Sequence, residues 1–150
     1  MPVYIDGQNC ILGRLASHVA KRLLEGETIT ICNAEKIIIT GDPLKTTDEY
    51  AQRLGIRTRS NPLKGPFHPR TPEGLVRKTV RGMLPRRKTH GKEAYKRLKV
   101  YVGIPPKLTE QKVNLVVLSS TVGKNLRGRY IHIGDLLRRF GPDNKFWKVD

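Results

Sequence analysis

The chain has 150 residues, and its Lys and Arg outnumber Asp and Glu by 29 to 13, a net charge of +16 at pH 7. Its pI is about 10.3, above the value of about 9 that marks nucleic-acid binders, and a compact protein so charged repels itself unless a polyanion relieves the strain. No run approaches the roughly 18 apolar residues of a membrane span, and the opening Met1-Pro2-Val3-Tyr4 lacks the pattern of a secretory leader, so a cytoplasmic protein with no membrane partner is expected.

In chain order, Val3–Asp6 is a short β-type run, and Gly7 with Asn9 marks a turn. Leu12, Leu15, Ala16, Val19, Ala20, Leu23 and Leu24 then recur at helical spacing, with Gly26 as the stop. Thr28–Cys32 reads as a second strand, Asn33–Lys36 as a polar interruption, and Ile37–Thr40 as a further apolar run closed by Gly41-Asp42-Pro43. This spacing predicts a βαβ unit with parallel strands. Asp48–Leu54 reads as a short helix. Cys10 and Cys32 are far apart and near no histidine cluster, so both are expected as buried free thiols in a reducing compartment.

Residues 55–71 contain prolines and glycines but no acid, and they predict an extended basic arm. Thr71-Pro72-Glu73 is a helix start: a cap, a proline at the first helical position and an acid in the first turn. Leu75, Val76, Thr79, Val80, Met83 and Leu84 line the expected core face. Arg77, Lys78 and Arg81 lie off it, Gly82 leaves room for a close approach, and Pro85 ends the helix. The basic run Arg86-Arg87-Lys88 precedes a helix at about 90–97, and Leu98–Val102 is a strand. Gly103-Ile104-Pro105-Pro106 is a break. Beyond about residue 107 the chain reads as less regular: an apolar β-rich stretch at Val113–Leu118, a basic loop at Gly123–Arg129, a short strand at Tyr130–Ile133, and a helix through Leu136, Leu137 and Phe140. Phe146 and Trp147 in the tail pack back or meet a partner. One domain over residues 1–150 accommodates all of this.

Chemistry is hard to find. Gly7 to Arg14 has neither the spacing nor the Lys-Ser/Thr of a phosphate loop. His18, His68, His90 and His132 are dispersed, with no metal-ligand spacing. Glu73 serves the helix start, Glu93 can pair with Arg97 four residues on, and Ser119, Ser120 and Thr121 after a strand suit a turn. No catalytic residue, metal, cofactor or small-molecule substrate is expected.

The charge distribution says more. Residues 1–52 hold 5 basic and 7 acidic side chains, residues 53–99 hold 15 and 2, and residues 100–150 hold 9 and 4. A merely soluble surface mixes its signs. Arg offers planar paired donors to phosphate. The only aromatics between 53 and 99 are Phe67 and Tyr95, which argues for recognition of RNA backbone and shape over base-stacking of single strands. A nucleic-acid-processing enzyme and a free regulatory RNA-binding protein are the alternatives.

Gly13-Arg14-Leu15-Ala16-Ser17, Asn33–Gly41, Val80-Arg81-Gly82-Met83-Leu84-Pro85 and Leu98–Pro106 resemble, in order and spacing, the L13 family of large-subunit ribosomal proteins. The His-Pro-Arg-Thr-Pro stretch at 68–72 is similar to its archaeal and eukaryotic branch, and the short C-terminus to the archaeal members. The resemblance implies a three-layer α/β/α fold with a small, mainly parallel sheet of about four strands and basic extended loops. It also implies large-subunit ribosomal RNA and neighbouring ribosomal proteins as partners, and no enzymatic activity. Joined to the charge pattern, it assigns phosphate contacts to Arg57, Arg59, Lys64, His68 and Arg70 on the arm. Arg77, Lys78 and Arg81 follow on a helix, Arg86, Arg87, Lys88 and Lys92 form the densest patch, and Lys124, Arg127 and Arg129 form a second one.

Overall fold

The structure is a computed structural model and describes residues 2–106, 108, 115–118, 121–123, 126 and 128–140. Strand β1 (Pro2–Asp6), helix α1 (Leu12–Leu24) and strand β2 (Thr28–Cys32) come first. β2 lies parallel to β1, with Pro2 opposite Thr28 and Asp6 opposite Cys32, so the expected βαβ unit is formed. α1 buries Leu15, Ala16, Val19, Ala20 and Leu23, the stripe its helical periodicity dictates. Gly26 turns the chain out of α1 at a φ of +102°, a conformation that suits glycine. The Arg97 guanidinium donates to the Leu23 carbonyl at 2.8 Å, satisfying an acceptor in the last turn of α1. Arg97 is thereby committed to α1 instead of pairing with Glu93, which stays exposed.

β4 (Leu98–Val100) pairs parallel with the other side of β2, placing Leu98 opposite Ile29 and Val100 opposite Ile31. The sheet order is β1-β2-β4. Outside β1, the Val116 N–H donates to Tyr4 O at 2.9 Å and the Val116 carbonyl accepts from the Asp6 N–H at 3.2 Å. The apolar stretch expected at 113–118 therefore runs where a fourth parallel strand belongs, although Val113 and Asn114 fall outside the described residues.

Residues of the three strands alternate between two faces. Ile5, Ile29, Ile31, Leu98 and Val100 are buried in one cluster with Leu15, Val19 and Leu23 of α1, Val76 and Val80 of α3 (Pro72–Met83) and Ala94 of α4 (Thr89–Lys96). Tyr4, Thr30, Lys99 and Tyr101 line a depression with Pro105, Pro106 and Leu108. Of the chain that follows, residues 106 and 108 are helical and line this depression.

β3 (Ile38–Thr40) and β5 (Tyr130–His132) form a separate antiparallel pair, Ile38 opposite His132. α5 (Ile133–Arg138) follows at once and buries Ile133, Leu136 and Leu137. The polar interruption before β3 is a short 3₁₀ turn that begins after Asn33 at a φ of +55°. The Asn33 side-chain amide donates to Asp6 Oδ1 at 2.8 Å, and buried Glu35 accepts the Gly103 N–H at 3.0 Å. Two stretches that read as breaks are thus tied to each other through a carboxylate whose burial needs such a partner. Cys10 and Cys32 are free and buried, and burial pushes both thiols up.

Three expectations need correction. α2 spans Pro43–Gly55, a full turn earlier than Asp48. Asp42 accepts the Leu44 N–H at 3.4 Å and Pro43 takes the first helical position, so residues that looked like a strand ending are a helix cap. Met83 is 43% exposed while Leu84 is buried. α3 stops at Met83, and Leu84 is already extended with ψ of 148°, which turns its side chain inward. A Cβ on Gly82 would meet nothing within 4 Å, so no described part of this chain makes a close approach there.

A candidate nucleic-acid interface

From Ile56 to Arg70 the chain has no regular structure beyond the 3₁₀ turn Pro62–Lys64, as its proline content requires. Arg57, Arg59, Lys64 and Arg70 are exposed along it. Its far end is fastened to the core. The Tyr50 hydroxyl donates to the Pro69 carbonyl, and the Lys78 ammonium donates to Phe67 O at 3.4 Å and to His68 Nδ1 at 2.9 Å. An ammonium has only hydrogens to give, so Nδ1 accepts and the neutral ring carries its hydrogen on Nε2. Burial, then Lys78 and Arg53, hold the His68 imidazolium form back and lower its pKa. Lys78 therefore anchors the arm as well as adding charge.

α3 buries Pro72, Val76 and Val80, which leaves Arg77, Lys78 and Arg81 exposed. The Arg77 guanidinium sits 5.3 Å from the centre of the Tyr95 ring on α4, a cation–π contact that ties the two helices' outer sides together. Arg81, Arg86, Arg87, Lys92 and Lys96 line one cleft of about 440 Å³ together with Leu84 and Tyr95. Lys88 is exposed immediately before α4. The structure thus joins arm to α3 through Lys78, and α3 to α4 through Arg77 and the cleft.

What allows α4 to lie against the basic turn is Gly91. A Cβ there would sit 2.2 Å from the Pro85 carbonyl oxygen and 3.2 Å from the Arg86 nitrogen. Sequence reading placed a close approach at Gly82 and none at Gly91. A glycine inside a short helix next to a proline turn was the available signal. Lys96 was also missed; its spacing of four from Lys92 places both on one helical side.

Among the described residues, none of the cations from Arg57 to Lys99 is in an ion pair. Elsewhere cations do find acids: Arg22 with Glu27 at 2.8 Å, Arg53 with Glu49 at 3.8 Å and Arg129 with Asp42 at 3.7 Å. Arg129 thus stands beside the start of α2, and Lys124 and Arg127 lie outside the described residues. Among the described residues there is no group of three or more His, Cys, Asp or Glu that could hold a metal ion, and no helix long and apolar enough to cross a membrane.

Unpaired guanidinium and ammonium groups held on a folded surface suit a ligand that carries regularly spaced negative charge. An α/β core that presents such a face defines a polyanion-binding protein. Comparison with known proteins narrows this class. The profile of ribosomal protein L13 matches residues 1–107. A large ribosomal subunit protein uL13 from Methanosphaera stadtmanae is 55% identical over 114 residues, 75% of this chain and 80% of its own. Others from Methanopyrus kandleri and Methanococcus maripaludis are 41% and 40% identical, over 91% and 93% of this chain and 85% and 97% of theirs. The chain belongs to the ribosomal protein L13 family.

Proposed function

We propose that the continuous face built from Arg57, Arg59, Lys64, His68 and Arg70, then Arg77, Lys78 and Arg81, then Arg86, Arg87, Lys88, Lys92 and Lys96 is the surface that holds large-subunit ribosomal RNA. The protein is a structural constituent of the large ribosomal subunit in the cytoplasm, bound to ribosomal RNA and neighbouring ribosomal proteins, and it is not an enzyme. Its relatives are named as large-subunit proteins. The observation that carries the assignment of the face is that its cations form no ion pair among the described residues, set beside the pairing of Arg22, Arg53 and Arg129.

The mechanism is electrostatic and geometric. Each cation that meets a phosphate releases condensed counterions, and this drives binding without reading sequence. The rigid parts, α3 and α4, fix the spacing between contacts. The fastened arm follows the groove between phosphates, and ordering it in advance lowers the entropy lost on binding. A-form RNA suits this kind of reader, because its deep major groove hides the base edges.

The test is co-sedimentation with the large subunit, followed by mapping of the protected RNA and affinity measurements over a salt series. Protection of one defined RNA segment, with affinity falling steeply as salt rises, is expected. Salt-independent binding sinks the assignment, and a chain that stays with free messenger RNA favours a regulatory role.

A further inference from the structure

Not every apolar side chain reaches the core, and the strays on the arm are grouped. Leu63 is 84% exposed, Phe67 74% and Ile56 55%. Together with Leu54 they line a cleft of about 370 Å³. Arg57 and Arg70 line the same cleft, and none of its lining residues among those described is acidic. The backbone on one side of it is held, because the carbonyls of Phe67 and Pro69 accept from Lys78 and Tyr50. The fold therefore presents an aromatic ring to the outside at a fixed place, in the midst of the basic surface. Large apolar side chains grouped in this way on a surface mark a binding site.

The charge around the cleft says what fits it. An apolar side chain from a neighbouring protein would cover Phe67 and Leu63 but bring no counter-charge to Arg57 and Arg70. A nucleotide has both parts, a flat ring to lie on Phe67 and a phosphate for the guanidinium groups. We infer that this cleft takes one unstacked nucleobase of the ribosomal RNA, stacked on Phe67, with its phosphate held by Arg57 and Arg70. Among the described lining residues Phe67 offers the most exposed ring, with the His68 imidazole next to it in sequence and already engaged by Lys78, so the site is built for a single base and not a tract. Folded RNA exposes such bases at bulges and loops. The inference rests on the phosphate-binding face proposed above, and it adds a contact that charge alone does not supply.

Stacking and phosphate contact respond differently to salt, because only the second releases counterions. The affinity of the full chain for protein-free large-subunit RNA is measured across a salt series for the wild type, Phe67→Ala, Phe67→Leu and Phe67→Tyr, with thermal melts to confirm folding. Phe67→Ala is expected to weaken binding by roughly ten-fold at every salt concentration, the scale of removing one stacked base, with the slope unchanged. Phe67→Leu should be as weak as Phe67→Ala, and Phe67→Tyr should match the wild type. Wild-type affinity in Phe67→Leu overturns the base and leaves a merely apolar contact. Wild-type affinity in Phe67→Ala overturns the inference while the phosphate reading stands. Salt-independent binding by the wild type overturns both.

Discussion

The Cα of Gly91 lies so close to the Pro85 carbonyl that a Cβ would come within 2.2 Å of its oxygen. This close approach seats α4 on the turn that bears Arg86, Arg87 and Lys88. Gly91→Ala gains helix propensity, yet the atom in the way is backbone and cannot swing aside. The net effect expected is a loss of about 1–3 kcal/mol in urea unfolding, with RNA affinity reduced because the turn shifts. Gly82→Ala is the matched control: its Cβ meets nothing within 4 Å, and the free protein should gain about 0.5–1 kcal/mol. Equal effects of the two substitutions would contradict this picture.

Tyr50 is buried and donates its hydroxyl to Pro69 on the arm, while its ring lies 6.0 Å from that of Phe140. Tyr50→Phe keeps the ring and leaves the Pro69 carbonyl without its donor. Stability should fall by about 0.5–1.5 kcal/mol. Proteolysis of the free protein should accelerate within residues 56–70, and unchanged cleavage there would show that the arm is held by other means.

His68 is held below its ordinary pKa of 6.5 by burial, then by Lys78 and Arg53. The unfolded chain takes up this proton near the ordinary value, and the folded chain only at lower pH. The unfolded state therefore binds more protons between the two values. The stability contribution is complete above about 6.5, declines as pH falls toward the folded value, and levels off below it. In an NMR titration, Lys78→Met should raise the His68 midpoint by removing a neighbouring cation. A midpoint that does not move would mean that the Lys78–His68 contact is not populated in solution.

Arg86→Ala combined with Arg87→Ala removes two unpaired cations from the cleft shared by α3 and α4. The slope of log affinity against log salt should become shallower by roughly 0.9 for each phosphate left without its cation, or a little less on single strands. Weaker binding at constant slope would place these residues away from phosphate.

Much of the core was legible because periodicity is a direct consequence of burial. α1 and β2 fell where their patterns put them, and Thr71-Pro72 opens α3 with the Thr71 hydroxyl accepting the Gly74 N–H at 3.3 Å. The start of α2 was missed because Gly41-Asp42-Pro43 serves equally as a turn and as a cap, and only tertiary packing decides. Met83 was misplaced because residues 83 and 84 are both compatible with the buried stripe, and the proline that follows selects one. For the interface, charge density identified the segment. It could not show that Lys78 is engaged with His68 or that Arg129 has Asp42 beside it, because each depends on contacts between residues apart in sequence.

β2 and β4 are neighbours in the sheet, yet the whole chain from Asn33 to Arg97, cationic face included, runs between them. The sheet can close only after that long loop has been drawn together, at an entropic cost that slows folding. The loop is also dense in like charges, whose repulsion keeps its ends apart at low salt. RNA that gathers the arm and α3 onto one strand of phosphates would shorten the search for β4. Refolding should therefore be faster in the presence of ribosomal RNA, which would act on the nascent protein as template as well as partner.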